Sequence, residues 1–164
     1  MFRKLNTARK IVAVILLAAI VATLYFIWSN SMESVQESNQ TSQGVYEVVE
    51  PIIESTVGTD VVTPHVFRKM AHVGEFFMLG AEVVTLFFVL VGFNFRITPF
   101  SLIIGFVIGG IDEILQIFSS RGPAFTDVLI DFFGFAVAWA IVTVVAFICN
   151  RIRLNKKAKA EIKP

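Results

Sequence analysis

The sequence has few of the residues on which disulfide-bonded, zinc-binding and soluble proteins depend. It has one Cys among 164 residues, which excludes an intramolecular disulfide and a zinc site with repeated Cys ligands. Any bound metal must therefore use oxygen and histidine ligands. Charged residues make up only 16%, whereas 55% are hydrophobic, 17 are Phe, and the mean hydropathy is +0.74. This composition predicts a polytopic membrane protein.

Lys and Arg are also absent from one long segment, and this absence predicts the orientation of the chain. None occurs between Asn30 and Phe67, which instead contains six acidic residues. Basic residues precede the first apolar run, and six more lie between Arg151 and Lys163. Because loops beside membrane spans retain Lys and Arg in the cytoplasm, both termini are predicted to be cytoplasmic and the acidic segment external.

The apolar runs predict an all-α polytopic membrane protein with four transmembrane helices. Residues 1–29 hold the basic N-terminus and span one, Ile11 to Trp28; a cleaved signal peptide is the alternative, disfavoured by the length of the run. Residues 64–149 hold the other spans, and residues 150–164 form a basic cytoplasmic tail. These spans are predicted at Pro64 to Gly92, Pro99 to Phe118 and Asp127 to Cys149, with helix caps at Thr63, Thr98 and Thr126.

Residues 30–63 are predicted to form an external acidic loop after span one. From Ser29 to Gly44 the composition is polar and typical of a linker. From Val45 to Val57 apolar residues share one helical face and glutamates the other, which predicts a short amphipathic helix. Two interpretations remain open: a helix resting on the membrane interface, or a lid over a polar site.

Polar residues interrupt the last three spans at one predicted depth. Acidic or basic residues at the centre of a span cost about 2.5–3.5 kcal/mol each, so their accumulation indicates a site. The predicted topology brings them together in the outer half of the membrane, with Arg121 above them. Span two contributes Arg68, Lys69, His72 and Glu75, span three contributes Asp112, Glu113 and Gln116, and span four contributes Asp127 and Asp131.

Three functions fit this set of residues. The first is an enzyme whose candidate catalytic residues are His72, Glu75, Asp112, Glu113, Asp127 and Asp131. In that case Arg68, Lys69, Gln116 and Arg121 would bind an anionic, lipid-linked envelope substrate, and a divalent cation would suit the acids. The second is proton or ion transport, with Glu82 deeper in span two. The third is a structural role, with pairs such as Arg121 with Asp127 or Arg68 with Glu75.

Small residues beside the polar positions predict close helix packing. Gly105 and Gly109 lie four residues apart in span three and allow another backbone to approach. In span four, Gly134 and Ala138 share a face and are predicted to pack against span three. Asp127 has a second explanation, since an acid in the first turn of a helix is stabilised there.

Two blocks of sequence, FRKMAHVGEFFMLG and DEILQIFSSRGPAFTDVLIDFFG, resemble the VanZ-like family of small bacterial membrane proteins. The resemblance covers residues 64–140 and includes the polar residues of all three spans together with Gly134. Three positions depart from the family pattern. Phe76 stands where Tyr is common, Asp131 where some members have Asn, and Ala138 where a second Gly is frequent.

The resemblance implies a location in the bacterial cell membrane and a connection with the cell envelope. The founding member is linked to low-level teicoplanin resistance without replacement of the peptidoglycan terminus. The partners expected are therefore the lipid bilayer and an envelope component, and no nucleic acid is expected. The resemblance implies neither a reaction nor an oligomeric state.

Overall fold

A computed structural model describes residues 6–57, 62–94, 98–119 and 124–161, which form five helices and no strand. These helices are α1 (Thr7–Met32), α2 (Val35–Val57), α3 (Pro64–Val91), α4 (Phe100–Phe118) and α5 (Phe125–Glu161). Within the described ranges, four of them, all except α2, are long and apolar enough to cross a membrane. The predicted all-α fold with four candidate spans is confirmed.

The cap of span two agrees with the sequence prediction, whereas the caps of the next two spans do not. Thr63 caps α3, because its hydroxyl accepts a hydrogen bond from the Val66 amide. Thr98 does not cap α4, because its hydroxyl donates to the Asn94 carbonyl at 2.7 Å. Thr126 does not cap α5 either, because that helix begins one residue earlier, at Phe125.

The end of α5 also lies beyond its predicted position at Cys149. The helix continues to Glu161 and is 37 residues long. Lys, Arg, Ala and Leu, which favour helix, fill most of this extension, and it contains neither Gly nor Pro. The Arg151 guanidinium lies 5.3 Å from the centre of the Phe147 ring. The described part of the basic tail is therefore a continuation of span four.

The predicted linker before Val45 is helical in the structure. α1 ends at Met32 and α2 begins at Val35. The Glu37 amide donates to the Ser34 hydroxyl, while the Ser34 hydroxyl and amide both donate to the Glu37 carboxylate. These two donors, the hydroxyl first, lower the pKa of Glu37. The pair forms a capping box, so a Ser with Glu three residues later begins this helix.

α2 is also ordered by its contact with α3. The Tyr46 ring meets the Phe67 ring edge-on, with 5.8 Å between their centres. The Tyr46 hydroxyl donates to the Val62 carbonyl at 2.7 Å, and Ser38 is buried. A polar segment that could not fold alone is thus held against the bundle by a few specific contacts.

The four candidate spans share one core. α3 packs against α1 and α5, and α4 packs against α5 and α1. The ends of α1 and α4 meet the starts of α3 and α5 beside α2, and we call this the α2 end of the bundle. The buried apolar residues at the centre are Ile27, Phe76, Leu79, Val83, Val84 and Phe135.

The face of α5 that carries Gly134 and Ala138 packs against α3, so its predicted contact with span three is wrong. A Cβ atom at Gly134 would collide with the Val73 carbonyl. A Cβ atom at Gly80 would lie 3.1 Å from the Ala138 Cβ atom. The backbones of α3 and α5 therefore approach closely at two places. The face of α5 with the small residues is occupied by this contact with α3.

Gly105 of span three allows close packing, although a side chain fills the space there and not the backbone that was predicted. A Cβ atom at Gly105 would lie 2.5 Å from the Cγ atom of Phe135. The Phe135 ring, which is fully buried, therefore fills the space that Gly105 leaves. At Gly109 the neighbouring atoms of Asp131 and Val128 lie at ordinary contact distances, so this glycine is not required by packing.

We predict that Gly134→Ala destabilises the protein. The added methyl group must push α5 away from the α3 backbone, and such overpacking costs about 1–3 kcal/mol. Gly74→Ala is the matched control, since a Cβ there meets nothing within 4 Å. The control should leave the free energy of unfolding unchanged or raise it by up to about 1 kcal/mol through helix propensity. Unfolding in detergent, followed by circular dichroism, measures both, and equal stability would contradict the packing at Gly134.

Candidate functional site

Asp112 is the point at which α1 and α4 are joined. Its side chain is fully buried, and the two oxygens each accept a hydrogen bond. The Ser31 hydroxyl donates to Oδ1 at 2.6 Å, and the Gln116 amide donates to Oδ2 at 3.0 Å. Gln116 is one turn further along α4, so the helix itself brings the amide to the carboxylate.

A second contact joins α3 and α5. His72 Nδ1 lies 3.6 Å from Asp131 Oδ1, which is longer than a hydrogen bond. Asp131 is only 1% exposed, and its other oxygen is buried with no hydrogen-bond partner among the described residues. One ligand atom from each of His72, Asp112 and Asp131 lies within 4.8 Å of the other two. We call these three residues the His72 cluster; it unites spans two, three and four as predicted.

Glu75 and Glu113 flank the His72 cluster. Glu75 Oε1 accepts a hydrogen bond from the Asn30 amide at 3.2 Å. Glu113 Oε2 accepts one from the backbone amide of Ala124, which directly precedes α5. The second oxygen of each carboxylate is buried, and no described residue forms a hydrogen bond to it. Both predicted site residues are therefore near the cluster, and Glu113 also ties α4 to the start of α5.

The basic residues of span two lie at the edge of this region. Lys69 donates to Asp127 at 3.1 Å, and both side chains are more than a third exposed. An exposed pair of this kind contributes about 0–1 kcal/mol. Arg68 donates to Asn39 of α2 at 3.0 Å, whereas the structural alternative paired it with Glu75. Arg121, which was predicted to lie above the site, falls outside the described residues.

A cavity of about 390 Å³ opens between α1, α2 and α3 at the α2 end of the bundle. Its wall combines aromatic and aliphatic side chains with polar ones. Among the lining residues are Phe26 and Asn30 of α1, Ser38 and Val45 of α2, and Phe67, Arg68, Ala71, His72 and Glu75 of α3. His72 thus contacts the cavity as well as the buried carboxylates behind it.

Negative charge in the interior has no basic counterpart among the residues that the structure describes. Asp112, Glu113 and Asp131 are at most 5% exposed, and no described Lys or Arg is buried. Uncompensated charge is unfavourable in a medium of low dielectric constant. The cluster must therefore be protonated, hydrated or matched by a cation.

Sequence reasoning missed the contribution of span one. Asn30 and Ser31 donate to Glu75 and Asp112, and Ser119 donates to the Ser31 carbonyl at 3.0 Å. The predicted span ended at Trp28, so these residues were assigned to the loop. The spacing of Thr23, Ile27 and Ser31, four residues apart, was a sequence signal that one helical face continues past Trp28. In the structure all three residues are buried.

Glu82 has a partner on α1 as well. The Thr23 hydroxyl donates to Glu82 Oε1 at 3.1 Å, and Oε2 is buried without a hydrogen-bond partner within the described ranges. Glu82 lies seven residues after Glu75 on α3, which corresponds to about 10 Å along the helix axis. It therefore belongs to a separate polar contact nearer the middle of the bundle.

We predict that Ser31→Ala lowers the free energy of unfolding by about 1–3 kcal/mol, because Asp112 would lose its short hydrogen bond while remaining buried. Ser29→Ala is the matched control, since the Ser29 hydroxyl donates to the Phe26 carbonyl of its own helix. The control should change stability by less than about 0.5 kcal/mol. Denaturation of purified variants in detergent tests this, and a Ser31→Ala variant as stable as the control would exclude a strong bond to Asp112.

Comparison with known proteins identifies the family. The family model described as VanZ/LLP1 matches residues 13–147, a range that extends from α1 into α5 and contains the whole His72 cluster. No curated protein and no solved structure matches the chain significantly. The family match covers well over half of the sequence and agrees with the four apolar helices. The chain therefore belongs to the VanZ-like family of multi-pass membrane proteins.

Proposed function

We propose that this protein resides in the bacterial cell membrane and acts on or modulates a cell-envelope component, contributing to the response to glycopeptides such as teicoplanin. The observation that carries the proposal is the cavity between α1, α2 and α3, whose wall changes from apolar to ionisable. The ligand it would receive is a lipid-linked or otherwise anionic envelope component. The resemblance to the VanZ-like family supports the connection with teicoplanin.

The distribution of basic residues supports an outward-facing cavity. The segment between Asn30 and Phe67, which contains α2, has no Lys or Arg. Basic residues occupy the N-terminus and the end of α5 instead. Because membrane insertion keeps basic loops in the cytoplasm, the α2 end of the bundle would face the outer leaflet. Both termini would then be cytoplasmic.

The shape and chemistry of the cavity suit an amphiphile. Its volume of about 390 Å³ falls within the range of small-molecule sites. Phe26, Val45 and Phe67 offer apolar surface to an acyl or prenyl chain. Arg68 lines the same cavity, and its guanidinium can pair with a phosphate through two parallel hydrogen bonds. A lipid with an anionic head group satisfies both parts of the wall.

Ionisable groups at the polar end of the cavity could act on such a ligand. Glu75 lines the cavity, is oriented by Asn30 and retains one oxygen without a hydrogen-bond partner. A carboxyl group in this position can accept or donate a proton when a ligand is bound. His72 occupies the neighbouring position and connects the cavity to Asp131. Glu75 is therefore our first candidate for acid–base chemistry.

Ion-coupled transport is the second candidate function, and Glu82 is the observation that favours it. Glu82 has a buried oxygen without a hydrogen-bond partner and lies deeper than Glu75 on the same helix. Two carboxyl groups at successive depths could pass a proton.

The structural alternative is favoured by the hydrogen bonds of Asp112, which join two spans. The three candidates differ in what the loss of each carboxylate should do.

The orientation can be tested with single cysteines in a Cys149→Ser background. We expect Gln40→Cys, on an exposed part of α2, to react with a membrane-impermeant maleimide in intact cells. Lys156→Cys, on the exposed end of α5, should react only after the cells are opened. If Lys156→Cys reacts in intact cells and Gln40→Cys does not, the topology is the reverse of the proposed one.

The proposed site can be tested by expressing the protein in a teicoplanin-susceptible bacterium. Wild type should raise the inhibitory concentration of teicoplanin, Glu75→Gln should return it to the level of the empty vector, and Glu82→Gln should retain the effect. The amide keeps the size of the side chain while removing its acid–base chemistry. Equal membrane levels of the variants are verified by immunoblotting.

Each other outcome has a distinct meaning. Loss of the effect in both variants, accompanied by a pH-driven flux in liposomes, would favour transport over the proposed function. Retention of the effect in Glu75→Gln would exclude acid–base chemistry at that residue. If wild type changes neither teicoplanin susceptibility nor the membrane's pool of lipid-linked cell-wall precursors, the envelope proposal is wrong.

A further inference from the structure

We propose that His72, Asp112 and Asp131 bind one divalent transition-metal cation of the Zn²⁺ type. The three residues come from α3, α4 and α5, and each offers a ligand atom within 4.8 Å of the others. The inference goes beyond the proposed function, because the ion would be bound whether or not an envelope component enters the cavity. It assigns a role to the part of the cluster that lies behind the cavity wall.

The spacing of the His72 and Asp131 atoms fits shared coordination better than a direct contact, and the Asp112 atom, within 4.8 Å of both, would move toward the ion on binding. His72 Nδ1 and Asp131 Oδ1 are 3.6 Å apart, beyond the range of a good hydrogen bond. Two ligand atoms bound about 2.1 Å from a tetrahedral zinc ion lie about 3.4 Å from each other. A cation between the imidazole and the carboxylate would therefore require little movement of either side chain.

The surroundings of the two aspartates resemble those of metal ligands. Ser31 and Gln116 donate to the two oxygens of Asp112, and such outer partners orient a coordinating carboxylate. Asp131 differs, since it is 1% exposed and its Oδ2 has no hydrogen-bond partner in the part of the chain that the structure describes. A buried acceptor without a donor is rare in a folded protein and requires an explanation. A bound cation supplies one.

Charge supports the same conclusion. Asp112, Asp131 and Glu113 are buried together, and no described Lys or Arg is buried with them. Lys69 faces Asp127 at the exposed edge, so it does not neutralise the interior. A divalent cation would offset the charges of Asp112 and Asp131. Protonation of the carboxyl groups is the competing way to remove this charge, and it predicts a protein that binds no ion.

The donor set points to the class of metal. One imidazole and two carboxylates are ligands for a borderline ion such as Zn²⁺, whereas Mg²⁺ and Ca²⁺ prefer oxygen alone. Three protein ligands leave a fourth position for water or a ligand group. His72 also lines the cavity, whereas Asp112 and Asp131 are not among its lining residues, so the imidazole would connect the ion to the cavity. Glu75 lines the same cavity, one helical turn from His72.

The full-length protein in detergent tests the inference directly. It is stripped with a chelator, dialysed against micromolar Zn²⁺, and analysed for metal per chain in a Cys149→Ser background that removes the thiol. We expect about one ion per chain. His72→Ala and Asp131→Asn should bind Zn²⁺ at least about tenfold more weakly than wild type. Ser31→Ala removes only a hydrogen bond to the ligand Asp112 and should weaken Zn²⁺ binding by about tenfold.

The chain offers a matched control, because it contains two histidines. His65 is also on α3 but is exposed, so His65→Ala should bind the ion as wild type does. If wild-type protein binds no Zn²⁺ after dialysis, the proposal is wrong whatever the variants do. Equal binding by His72→Ala and wild type, or equal loss in both histidine variants, would also overturn it. Teicoplanin susceptibility is measured separately, so failure here leaves the envelope proposal standing.

Discussion

Polar groups inside this bundle must find their partners within the protein, because hydrocarbon offers none. Asp112 illustrates the constraint: it is fully buried and accepts hydrogen bonds from two other side chains. One of these, Ser31, brings the end of α1 into the cluster. The same carboxylate therefore gathers chemically useful groups and fixes the position of a span that carries little of the family motif. Folding and site formation depend on one set of hydrogen bonds.

The amphipathic helix α2 combines features of both predicted roles. Ser38 and Val45 line the cavity, and Arg68 reaches across to Asn39, so one side of the helix closes over the site. Val48 and Ile52 are 76% and 67% exposed, so this apolar surface of α2 does not pack against the other helices. In a membrane that surface suits contact with lipid at the interface. A wall that also touches lipid could admit a membrane-borne ligand from the side.

The sequence predicted the fold well because its strongest signals are apolar length and charge. Four long apolar runs specify four spans, and Thr63 with Pro64 specifies where α3 begins. Helix-capping residues were less reliable signals, because a side-chain hydroxyl can bond to a different backbone group from the one that caps the helix. The hydroxyl of Thr98, for example, bonds backward to Asn94 instead of capping α4. The capping box at Ser34 was visible in the sequence, but the polar composition around it obscured a helix.

The candidate site was predictable only for residues whose charge is costly in a membrane. His72, Asp112 and Asp131 stand out in apolar runs, and the predicted topology placed them at one depth. Asn30 and Ser31 are neutral and lie at the end of a span, where polar residues are common. Which helix Gly134 would face could not be deduced either, because α3 and α4 both carry small residues and only tertiary packing selects between them.

The contact between Gly134 and Val73 also bears on the distance between His72 and Asp131. Val73 directly follows His72, and Gly134 lies three residues after Asp131 on α5. The point where the two backbones touch is therefore next to His72 in the sequence and about one turn from Asp131. Because position 134 has no side chain, the two helices approach closely there, and this approach sets the distance between the imidazole and the carboxylate. A larger residue would increase that distance even in a protein that still folded.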